Sequence, residues 1–213
     1  TLDAAGLGKL LQRRVAVYDK DRDGHYGLIS ALHKALRGSD PQAALYYLAR
    51  MLTAGEEPLY VLRRMTRFAS EDIGLADPQA LTQCLAAKDA YQFLCSPEGE
   101  LAIVQACLYL ATAPKSNAAY KAQKEAWQSA KETGSLSPPP HILNAPTKLM
   151  KEIGHGEGYA YDHDRDDGFS GADFWPEGME PQTYYQPVAR GFERQVIERL
   201  EWWEKKRRER RGT

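Results

Sequence analysis

The chain has 213 residues with 43% hydrophobic side chains, enough to bury a core. Its 28 Lys plus Arg against 29 Asp plus Glu give no global charge to draw it to nucleic acid or a membrane surface. Cys84, Cys95 and Cys107 are odd in number and widely spaced, which excludes a disulfide framework and a short zinc motif and fits a reducing cytoplasm. No apolar run approaches the roughly 18 residues of a membrane span. The opening Thr1-Leu2-Asp3, without methionine, reads as a piece of a longer polypeptide.

In chain order, Asp3 caps a first expected helix in which Leu7, Leu10, Leu11 and Val15 recur at helical spacing, and a polar break follows from Asp19 to Gly24. The next helix carries Tyr26, Ile29, His33 and Leu36 on one face and stops at Gly38, where glycine relieves left-handed strain. Asp40-Pro41, Asp77-Pro78 and Ser96-Pro97 open further helices, and Pro58 opens another. A capping side chain satisfies orphan N–H groups, and proline at the first helical position loses no hydrogen bond. A polar, alanine-rich helix over about Asn117 to Glu132 ends at Gly134. From 135 to 187 the chain turns irregular and rich in Pro, Gly and Tyr. Its aromatics, among them Phe169, Trp175, Tyr184 and Tyr185, predict an ordered segment lying across the helices. A terminal helix over 189–211 buries Phe192, Val196, Leu200 and Trp203. The fold class that follows is all-α.

Few motifs carry chemistry. Asp19-Lys-Asp21-Arg-Asp23-Gly24 opens like a calcium loop, but its twelfth position is Ser30 where a bidentate Glu is required, so it reads as a solvated linker. His155 and His163 match no ligand spacing, and the cluster Asp162, Asp164, Asp166 and Asp167 lacks the turn glycine. Gly154-His-Gly156-Glu-Gly158 follows no strand and precedes no Lys-Ser or Lys-Thr, so it is not a phosphate loop. No catalytic, cofactor-binding or metal residue is expected. The basic run at the end, with Lys205, Lys206, Arg207 and Arg208, has two readings: a solvated helix end suited to the helix dipole, or a contact to nucleic acid.

Four stretches together carry a family resemblance: His25–Pro41, Ala69–Pro78, Tyr109–Tyr120 and Ala145–Lys151, with Tyr184–Gly191 in support. They resemble the C-terminal region of the replication-associated recombination protein A family, also called RarA or MgsA, which is related to the Werner-helicase-interacting ATPases. Gly27 and the Phe169–Glu180 stretch depart from the family pattern. The resemblance implies that residues 1–24 end the helical lid of an AAA+ motor, and that 25–213 form an oligomerising collar similar to that of clamp loaders. It further implies a homotetramer, action on DNA at replication forks, association with single-stranded DNA-binding protein, and a nucleoid-associated place in the bacterial cytoplasm. ATP and Mg would belong to the part of the full-length protein that precedes this chain. The apolar helix faces with Leu45, Leu48 and Leu52, and with Leu101, Val104 and Leu108, are the expected oligomer interface. A direct DNA-binding helical module is the alternative. Because no Walker motif is present, calorimetric titration of this chain with ATP is expected to show no binding, and stoichiometric micromolar binding would overturn that expectation.

Overall fold

The computed structural model describes residues 22–211, with side chains from Tyr26 onward. The expected first helix, Asp19, Asp21 and all but the last three residues of 1–24 lie outside the described residues. Arg22, Asp23 and Gly24 already belong to the first turn of helix α1 (Arg22–Arg37). Every regular element among the described residues is helical, and the fold class is all-α. Among them no helix is long and apolar enough to cross a membrane.

The chain divides into two compact units. The first takes in the described residues up to Tyr120 together with Arg190–Phe192, and the second takes in Lys121–Ala189 and the residues from Glu193 on.

In the first unit α1 is followed by α2 (Pro41–Thr53), α3 (Pro58–Phe68), α4 (Gln79–Leu94) and α5 (Glu100–Thr112). The proline starts are built as the residues dictate. Asp40 accepts the N–H groups of Gln42 and Ala43, and Glu57 does the same for Leu59 and Tyr60. Asp77 accepts the Gln79 N–H at 3.0 Å. Pro97 departs from the pattern, because a turn separates it from α5, which begins only at Glu100. At the end of α1 the left-handed residue is Ser39 (φ 56), not Gly38. The Ser39 and Asp40 N–H groups turn back onto Leu36 and Ala35. Gly38 is small for another reason: a Cβ there would press on the Lys34 carbonyl at 3.2 Å.

α5 touches each of the other four helices. Ile103, Ala106, Cys107 and Leu110 fill its inner face and meet Leu32, Leu36, Leu48, Met51, Leu62, Met65 and Phe68, all essentially without solvent exposure. Tyr26, expected on the inner face of α1, is 62% exposed, and Leu32 takes the core position. Between α3 and α4 lies a π-helical turn, Ala69–Ile73, and then a 3-10 turn, Gly74–Ala76. Asp72 on the π turn receives both arms of Arg37, at 2.6 and 3.0 Å, while its backbone carbonyl accepts the Ser116 N–H at 2.8 Å. Tyr109 donates to Asp77 at 2.7 Å, a bond that holds its hydroxyl pKa up at about 12. The 190–192 segment also belongs to this unit. Phe192 N–H donates to the Ala76 carbonyl, and Arg190 donates to the Lys115 carbonyl. A Cβ on Gly191 (φ +50) would run into the Ala76 carbonyl and Pro114.

The second unit holds most of α6 (Ala118–Thr133), the short α7 (Lys148–Glu152) and α8 (Glu193–Arg211), joined by irregular chain with 3-10 turns at Pro140–Ile142 and Asp162–Asp164. The start of α8 lies four residues later than the periodicity suggests, because Glu193 is fully buried and tied back: Tyr185 donates to it at 2.8 Å and the Val188 N–H at 2.9 Å. Its expected buried stripe is only partly covered, with Leu200 and Trp203 exposed. Tyr184 donates to Ser129 of α6 at 2.6 Å. Phe169 lies beneath the guanidinium groups of Arg207 and Arg210, at 5.5 and 5.4 Å from its centroid.

His33 carries a pH dependence. Its Nε2 is buried with no hydrogen-bond partner among the described residues, and its ring meets Phe68 edge-on at 5.7 Å. Burial first, then the nearby Arg64 cation, lowers its pKa from 6.5 to about 4, against weaker opposition from Asp72 and Glu71. The unfolded chain therefore takes up a proton as pH falls through 6.5 that the folded chain refuses until about 4. The contribution of neutral His33 to stability is complete above that window and is lost progressively within it. His33→Leu is expected to lose less melting temperature than the wild type when pH drops from about 7 to about 4.5. Equal losses in both would show that His33 does not titrate in this way.

Candidate functional site: two interaction surfaces

A helix that is apolar all round belongs in an interior. α5 comes near to this, with Leu101, Ala102, Ile103, Val104, Ala106, Cys107 and Leu108 distributed about its circumference and Gln105 and Thr112 as the polar members of its exposed row. Its chain covers only part of it: Leu101 is 73% exposed and Leu108 is also exposed, opposite the buried Ile103, Ala106 and Leu110. Val104 is half-buried against the core. The α2 part of the expected interface is placed differently. Leu48 is completely buried in the subunit's own core and so has no surface to offer a neighbour, and Leu45 and Leu52 pack half-buried against that core. The reason is periodicity: Ala44, Leu48 and Met51 make the inner face of α2, and Leu45 and Leu52 flank it.

Sequence reasoning passed over other exposed apolar groups of this unit. Leu81 and Leu85 stand one turn apart on α4 and face solvent. Phe93, at the end of the same helix, is 87% exposed. A period is visible in a sequence, but which side of a helix its neighbours cover is not. Cys95, next to Leu94, is exposed, whereas burial pushes the Cys84 and Cys107 thiols up to about 12 and leaves them protonated.

The second surface is the basic end of α8. Lys205 and Lys206 pair with Glu209, and Arg207 and Arg208 pair with Glu204 at 2.8 and 3.2 Å. Beyond them Arg210 pairs with Asp167 at 2.6 Å and Arg211 with Asp173 at 3.5 Å. The two arginines on Glu204 hold its carboxyl below the usual range. Six cations thus share four carboxylates, and the run is far less positive than its lettering suggests. Beside it, Trp175, Tyr184, Leu200, Arg207 and Arg211 line a concavity of about 780 Å³ within the second unit. Of the two histidines weighed in the sequence, His163 lies against the Tyr161 ring and His155 donates its backbone N–H to the Met150 carbonyl, while the His141 ring meets the Asp173 carbonyl.

Comparison with known proteins places the chain in a family. The model described as MgsA AAA+ ATPase C terminal matches residues 38–204, and the one described as AAA C-terminal domain matches residues 1–37. The two meet at the turn after α1. Replication-associated recombination protein A of Coxiella burnetii is 48% identical over 205 residues, which is 96% of this chain and 47% of that relative. The protein of the same name from Escherichia coli K12 is 47% identical over 197 residues, 92% of this chain and 44% of the relative. ATPase WRNIP1 of Dictyostelium discoideum is 44% identical over 181 residues, 84% of this chain and 21% of its own length. The chain spans less than half the length of these relatives.

Proposed function

The chain belongs to the MgsA AAA+ ATPase C-terminal family, and from that membership we propose that it is the assembly module of a replication-associated recombination ATPase. ATP and Mg are bound and used by a motor outside these residues. The whole protein acts on DNA in replication-fork maintenance, recombination and repair, in the cytoplasm near the nucleoid, with single-stranded DNA-binding protein as a partner. The module brings several motors together as a homotetramer, so that they work on one DNA segment.

The observation that carries this reading is α5: a largely apolar helix whose outer row leaves Leu101 and Leu108 uncovered beside Gln105 and Thr112. Burying a leucine fully is worth about 1.5–3 kcal/mol, and a closed symmetric assembly repeats the same contact in every subunit. A second copy of the chain is the natural cover, because covering α5 in one subunit then covers it in all. The rival reading, direct DNA binding through Lys205, Lys206, Arg207 and Arg208, is weakened by the carboxylates those side chains already hold.

Light scattering tests the proposal. This chain is expected to run at four times its subunit mass and to stay assembled near molar salt, because apolar burial is not screened as ion pairs are. Leu101→Glu is expected to weaken association at least tenfold while leaving the subunit folded. A monomeric wild-type chain, or dissociation on adding salt, would sink the proposal.

A further inference from the structure

The lysines of α6 differ from the cations of α8. Lys121, Lys124 and Lys131 are exposed, and among the described residues none has a carboxylate within ion-pair distance, whereas every cation from Lys205 to Arg208 has one. Trp127 stands among these lysines, 63% exposed, the most exposed of the chain's four tryptophans. At 3.6 residues per turn, Lys124, Trp127 and Lys131 fall on one line of the helix, opposite the half-buried Ala122, Ala126 and Ser129. The two lysines are ~10.5 Å apart along the axis, with the indole between them. Glu125 and Glu132 lie to one side of this line. An indole 63% exposed keeps much of its ring in water, and ammonium groups without an ion-pair partner among the described residues on either side of it attract an anion.

We propose that this face of α6 binds single-stranded nucleic acid, with Trp127 stacking on an unpaired base and Lys124 and Lys131 taking the phosphates to either side. The charge complementarity is with a polyanion that also presents flat rings, and unpaired bases supply both features. An acidic peptide would answer the lysines and leave the indole bare. A duplex hides its base faces in the stack. A lipid surface needs a broad apolar face, and the outward line of α6 alternates lysine with a single ring. The acidic flank at Glu125 and Glu132 repels phosphate and keeps the strand along the Lys124–Lys131 line. The proposal uses none of the residues of the assembly reading, so each can fail without the other.

The test is anisotropy of fluorescein-labelled oligothymidine titrated with the full 213-residue chain over a range of salt. Trp127→Ala is expected to weaken binding about tenfold at every salt concentration with the salt slope unchanged, and Trp127→Phe to keep most of the affinity. The double variant Lys124→Gln, Lys131→Gln is expected to lower the slope of log affinity against log salt by about 1.4, from ~0.7 per phosphate contact. Unchanged melting temperatures confirm that these exposed substitutions leave the fold intact. The proposal is overturned if the three variants bind oligothymidine as the wild type does. It is equally overturned if polyglutamate of matched charge binds as tightly and loses as much with Trp127→Ala, since the face would then be an acidic-protein surface.

Discussion

One carboxylate sets the register of the first unit. Asp72 sits on the π-helical turn that breaks the run from α3 to α4, and two remote parts of the chain are measured against it. Arg37 brings in the end of α1 through two parallel bonds, Ser116 brings in the chain after α5 through the Asp72 carbonyl, and the turn itself directs Ile73 and Ala76 into the core. The Arg37 side chain is about half in water, so the Coulomb term is modest. What the fork adds is geometry, because two parallel donors accept only one orientation of the carboxylate. Asp72 itself is nearly buried, so losing its partner leaves a poorly solvated carboxylate, which disfavours any other arrangement of these segments.

The second unit solves a different problem. It has few long helices and must fix irregular chain, so side-chain hydrogen bonds and ring contacts do what a backbone ladder does elsewhere. Glu193, wholly removed from water, holds Tyr185 and Val188, and Ser129 holds Tyr184. Asp162 accepts the Ser170 N–H, and Phe169 is covered by Arg207, Arg210 and the ring of Trp202. Arginines that look free in the sequence are therefore part of the packing: their planar heads and apolar stems cover a phenyl ring while their charges meet carboxylates.

The helices of the first unit were legible because their signals are local. Asp40-Pro41 caps as its chemistry requires, and the 3.6-residue period finds Ile29 and Leu36, whereas on α5 the stripe drawn through Leu101, Val104 and Leu108 misses the buried Ile103 and Leu110. The failures share one cause. Whether Leu48 or Leu101 ends up under a neighbouring helix depends on chain far away in sequence, and both lie in helices rich in apolar residues. The late start of α8 depends on Tyr185 and Val188 reaching Glu193, and the neutralised tail depends on Asp167 and Asp173 arriving from the irregular segment. Trp127 was hidden for the opposite reason. Its helix has an ordinary polar composition, and only the exposure of one ring and the lack, among the described residues, of ion pairs to its lysines set its outer face apart.

Gly191 illustrates what such dependence means over many generations. Its α-carbon lies against the Ala76 carbonyl and Pro114, in a left-handed backbone conformation. Gly27, Gly158, Gly168 and Gly178 have open space where a Cβ would go. A substitution at one of these leaves its neighbours in place, with backbone strain at 158, 168 and 178 where φ is also positive, but any amino-acid change at 191 adds to that strain a carbon atom in an occupied volume. Position 191 thus admits no other side chain unless the chain around Ala76 and Pro114 moves with it.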